Sequence, residues 1–142
     1  MFTVNHLLKR WLTELAEVEA RLGGKYELSW RPDDRENDSP IGCRITAIEA
    51  DKFLAFEWGT PERFKSFAHD ADPLTQVVVF FLPEGNKTHV HLIHSGWRSS
   101  SNWEEARQWQ QNAWSTAFLR LEHMENAMPR RTPRVLGLPF FV

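Results

Sequence analysis

The sequence predicts a two-layer α+β domain in which antiparallel strands lie against one long C-terminal helix. Three observations point there. Hydropathy alternates with a period of two through residues 26–30, 43–47 and 53–58, as in half-buried strands. Two apolar segments, residues 76–82 and 88–94, flank Pro83-Glu84-Gly85-Asn86 and read as a hairpin. After Ser101-Asn102-Trp103-Glu104, which has the form of a capping box, about six helical turns follow without Gly or Pro.

Each element follows in order. Residues 5–14 read as a short helix, because Leu7, Leu8, Trp11, Leu12 and Leu15 recur at helical spacing and Thr3 or Asn5 can cap it. Gly23-Gly24 is a turn. The first strand then sets Tyr26, Leu28 and Trp30 on one side, and the second, opened by Gly42, sets Cys43, Ile45 and Ala47 together. Glu49-Ala50-Asp51-Lys52 turns the chain into a strand with Leu54, Phe56 and Trp58 on its core side. Residues 59–73 lose the period and read as a long excursion or an irregular helix. On the C-terminal helix Trp103, Ala106, Gln110, Ala113, Trp114, Ala117, Leu121 and Met124 form one stripe, and Pro129 ends the helix.

The chain has 142 residues, enough for one domain with a substantial core. Seven Trp and ten Phe against one Tyr mean that much of the interior is built from large rings, whose irregular packing favours cavities. A formal net charge of −2 with acids and bases interspersed argues against nucleic acid or anionic lipid as partner. The lone Cys43, the lack of a signal-peptide pattern and of an apolar run of spanning length imply a cytoplasmic protein with no membrane span.

A set of segments in order carries a family resemblance: Gly23-Gly24-Lys25-Tyr26-Glu27-Leu28-Ser29-Trp30, Gly42 opening a strand, Phe53-Leu54-Ala55-Phe56-Glu57-Trp58, a strand ending His94-Ser95-Gly96-Trp97, and the helix from Trp109 to Leu121. Over roughly residues 7–124 the sequence resembles the SRPBCC or START-like superfamily, in the branch named for the activator of the ninety-kilodalton heat-shock protein's ATPase. The resemblance implies a helix-grip fold, a curved antiparallel sheet wrapped around the long C-terminal helix with a hydrophobic cavity between them. Members bind lipids, sterols, polyketides or other apolar molecules, a minority are cyclases or hydrolases, and the namesake is a co-chaperone. Members usually begin with an edge strand and a full first helix, and that strand is missing before Leu7.

Residues 1–128 are therefore expected to form the helix-grip domain, and 129–142 a Pro-rich apolar tail. Leu136, Leu138, Phe140, Phe141 and Val142 are too apolar for a free end, so the tail is expected to fold back or to dock in a homodimer. Pro139 lacks an amide donor, which favours side-chain docking over full sheet completion.

His89, His91 and His94 invite a metal reading, but on a strand the first two share one face and His94 lies on the other, so no site converges. Cys43 sits in an alternating strand with no diagnostic motif and reads as a small buried filler. No nucleophile elbow, P-loop or dinucleotide fingerprint occurs, and Glu104-Glu105 complements a helix N-terminus. No catalytic residue, metal or cofactor is expected.

His94 and Gln110 stand out. Both fall on core-facing positions, where an unpartnered polar group costs on the order of 1 to 3 kcal/mol, so each is either internally hydrogen-bonded or the polar handle of an apolar pocket. Tyr26, Trp30, Ile45, Phe56, Trp58, Val78, Phe80 and Trp114 are the expected lining of that pocket. The leading expectation is binding of a small hydrophobic or amphipathic ligand without covalent chemistry. A co-chaperone-like interaction module is the alternative, and an enzyme using His94 as general acid or base comes third.

Overall fold

The computed structural model describes residues 2–31, 33–34, 42–60, 73–126 and 134–141, with backbone alone for Asn126 and for 134–141. Helix α1 spans Asn5–Trp11 and is followed by β1 (Leu15–Val18), β2 (Tyr26–Ser29), β3 (Ile45–Glu49), β4 (Phe53–Trp58), β5 (Thr75–Glu84), β6 (Lys87–Ser95), α2 (Ser101–Asn126) and β7 (Arg134–Phe141). The architecture is α+β: antiparallel strands followed by one long helix. Residues 61–72, where an excursion or irregular helix is expected, lie outside the described residues.

The helix α1 is shorter than its hydrophobic spacing suggests, and Leu15 belongs to a strand. Val4 occupies the N-cap without a side-chain bond, while Asn5 Oδ1 accepts from the Val18 amide at 3.0 Å. Thr13 Oγ1 lies 3.0 Å from the Leu15 carbonyl and 2.8 Å from that of Ser29, tying the end of the helix to both strands. Four residues are too few to display a period of two, so β1 is invisible to periodicity. It pairs antiparallel with β2, and the link to the main sheet runs through Gly24. The Ile45 amide donates to the Gly24 carbonyl at 2.8 Å and the Tyr26 amide to Cys43 at 2.9 Å. A Cβ at Gly24 would collide with the Glu19 carbonyl oxygen, so this turn requires glycine.

The main sheet has the order β3-β4-β5-β6-β7. A register shift between Ile45 and Ala47 re-phases β3, so that Ala47 pairs with Ala55 and Ile48 with Leu54. Ala47 therefore leaves the face of Ile45, and Ile48 packs against the core in its place. The β4–β5 register aligns Leu54 with Val79 and Phe56 with Val77, all four fully buried. Val78 and Phe80, expected in the lining, are on the opposite face; Phe80 is 36% exposed beside Phe53. A strand apolar on both sides does not reveal its own parity; the pairing with β4 decides it.

Ser100, one residue before the expected cap, closes the start of α2. Its Oγ accepts from the Trp103 amide at 3.2 Å, and its carbonyl from the Glu104 amide at 2.9 Å. Glu104 instead binds Arg107 through a two-pronged pair at 2.6 and 2.8 Å and accepts from Gln108, which holds its carboxyl down at about 2. The buried stripe of α2 runs through Trp103, Ala106, Gln110, Trp114, Ala117, Phe118, Leu121 and Met124. It meets Leu54, Phe56, Trp58, Val77, Val79, Val90 and Leu92 of the sheet, and Leu8, Trp11 and Leu12 of α1, in one core.

The tail completes the sheet. All of β7 pairs in parallel with β6, from Lys87 opposite Arg134 to His94 opposite Phe141. Side-chain docking is thus not its mode. Pro139, opposite Leu92, is tolerated because an edge strand bonds through one side only, and alternate residues turn their amides away from the neighbour.

Candidate functional site

The interior between sheet and helix gathers most of the residues expected to line it. Tyr26, Ile45, Phe56, Trp58, His94, Gln110 and Trp114 are all buried there. Tyr26 and Phe56 stack at 3.8 Å between ring centroids, and the Tyr26 hydroxyl donates to the Phe2 carbonyl at 2.9 Å. Trp58 and Trp114 are in contact at 4.8 Å. Trp30 lies past the end of β2, 36% exposed, edge-on to Trp58, with its Nε1–H donating to the Leu12 carbonyl at 2.7 Å. It forms a rim to the cluster.

His94 has no exposed surface, and its hydrogen bonds fix its chemistry. Trp114 Nε1–H donates to His94 Nδ1 at 3.2 Å, so Nδ1 carries no proton. His94 Nε2–H then donates to Thr75 Oγ1 at 2.9 Å, and the Thr75 hydroxyl donates in turn to the Trp58 carbonyl, also at 2.9 Å. Burial pushes the imidazole down to about 3. His94 is a neutral structural link with both nitrogens engaged, an arrangement that leaves no ring nitrogen for general acid or base work. Thr75 completes the link, and sequence reading missed it. Its only signal is its register opposite Trp58, which the loss of periodicity before it conceals.

Gln110 differs. Its Oε1 accepts from Trp58 Nε1–H at 3.1 Å, which orients the amide, since an indole nitrogen can only donate. Among the described residues its amide makes no other hydrogen bond, and the residue is 3% exposed. Cys43 is buried, and burial raises its thiol to about 12, so it is not a nucleophile at neutral pH. His89 and His91 share the outer face, with ring centroids 6.3 Å apart, on the side of β6 opposite His94.

Residues 1–124 match the family described as Activator of Hsp90 ATPase homolog 1-like protein. The chain belongs to that family. It is thereby a member of the START-like superfamily, whose helix-grip fold agrees with the strands and long helix seen here. No curated protein and no solved structure matches the chain. Among the described residues no helix is long and apolar enough to cross a membrane.

Proposed function

We propose that this member of the family binds a small hydrophobic or amphipathic molecule between sheet and α2, without covalent chemistry. The observation that carries the reading is the enclosed cluster of Tyr26, Phe56, Trp58 and Trp114, to which Gln110, 3% exposed, adds an amide that Trp58 orients through its carbonyl oxygen. A pocket of aromatic walls with one oriented donor suits an apolar ligand that presents a carbonyl or hydroxyl oxygen. His94, its nitrogens engaged, serves as a wall. Trp30 at the rim marks the side from which a ligand reaches Trp58 and Gln110.

Nile red, an apolar dye with a carbonyl acceptor, is a suitable probe. Saturable binding is expected, with Gln110→Leu weakening it about fivefold, the equivalent of about 1 kcal/mol. Native mass spectrometry of protein purified from cells should show a co-purified mass. Absence of both a bound mass and saturable dye binding would sink the reading.

A further inference from the structure

On the outer side of the helix layer, Arg10 of α1 and Thr116, Leu119, Arg120, His123 and Met124 of α2 enclose an open groove of about 540 Å³. We propose that this groove docks an acidic amphipathic helix of a protein partner. The site is separate from the sheet–helix interior, because Thr116, Leu119, Arg120 and His123 lie on the exposed face of α2 while Gln110 and Trp114 lie on the buried one.

Charge complementarity selects the occupant. Arg10 and Arg120 come from different helices, line one groove, and have no ion-pair partner among the described residues. Glu125, buried beside the groove, has its carboxyl raised by desolvation and drawn back down by the Arg10 charge, so it offsets part of Arg10 and leaves Arg120 as the stronger attraction for an acidic partner. Two cations on either side of a groove, neither in an ion pair with a described residue, call for carboxylates. Between them Leu119 is 68% exposed, a large apolar side chain ringed by charge, the arrangement of an interface anchor within a polar rim. A free inorganic anion would make no use of Leu119, and a bilayer surface cannot enter a concave groove between two helices.

The spacing selects a helix. Thr116, Leu119, Arg120 and His123 recur at i, i+3, i+4 and i+7, about 10 Å along α2, which matches two turns of a partner helix laid alongside.

The test is fluorescence anisotropy of the full chain with a labelled peptide of about 15 residues, long enough to form a helix, with Leu at i and i+4 on one face and Glu elsewhere. A second peptide replaces every Glu by Lys. Saturable binding of the acidic peptide is expected, weakening with added salt. The doubly reversed variant Arg10→Glu/Arg120→Glu should lose at least tenfold for the acidic peptide and gain for the basic one, and Leu119→Ser should weaken both. Melting temperatures should be unchanged for Leu119→Ser and for Arg120→Glu alone, because both residues are exposed, whereas Arg10→Glu faces the buried Glu125 carboxyl and should melt slightly lower. The proposal is overturned by absence of saturable binding, by acidic-peptide binding indifferent to the charge reversal, or by a chain that ignores the peptide and binds phosphatidylglycerol vesicles or inorganic phosphate instead. A failure here leaves dye binding at Gln110 untouched, so the two readings stand or fall separately.

Discussion

A neutral imidazole locked between an indole and a hydroxyl is a pH-dependent source of stability. His94 is held at about 3 in the folded chain against an ordinary value of 6.5, so below about pH 6.5 the unfolded chain takes up a proton that the folded one refuses. Stability from this residue is full above that point and falls as the pH drops toward 3. Between pH 7 and pH 5 the expected loss is about 2 kcal/mol, from 1.5 pH units at about 1.4 kcal/mol each. Urea unfolding at both pH values, for the native chain and for His94→Gln, isolates the effect because the remaining groups are common to both. Equal pH dependence in the two chains would show that His94 is not buried neutral. The sequence located this residue on the core face by parity with Val90 and Leu92, but whether it served a ligand or the fold depended on Thr75 and Trp114, which come from two other elements.

At the level of elements, α2 and the β5–β6 hairpin were legible because long amphipathic periods and a Gly-Asn turn are local signals. The parity of Val78 and Phe80, the bulge after Ile45 and the four-residue β1 were not, since each is decided by a partner strand or is shorter than the period that would reveal it. Of the expected site, the residues from amphipathic elements, Phe56, Trp58 and Trp114, fall together, and those from the doubly apolar β5 face away. The helix stripe allows a quantitative check. Trp114→Ala removes a ring packed on Trp58 and Phe118 and also the donor to His94, and should destabilise the chain by about 3 to 5 kcal/mol. Trp114→Phe keeps most of the packing and loses the N–H, so about 1 to 2 kcal/mol is expected. Equal losses for the two would mean that the hydrogen bond, not the ring, is what α2 contributes there; a loss below about 1 kcal/mol for alanine would mean the ring borders an open space.

For the whole molecule the decisive feature is that the last strand closes the edge left beside β6. Without β7, the eight residues from Lys87 to His94 would present unpaired backbone groups along one side of a strand whose other side is bound to β5, a template for pairing with a second chain. The connection from β6 through α2 to β7 is a parallel crossover, which carries the helix back over the sheet and brings β7 alongside α2 as well as β6. The strand therefore joins the two layers at one edge, and its removal should be felt by both. Deleting residues 134–142 is expected to lower stability by about 3 kcal/mol, or roughly 10 °C in melting temperature for a chain of this size. It is also expected to raise the sedimenting mass, as the bared edge of β6 finds another copy. A chain that keeps both its mass and its melting temperature after the deletion would show that β7 contributes neither stability nor edge protection. Lower stability with unchanged mass would assign it the first role alone, with α2 or the twist of β6 guarding the edge.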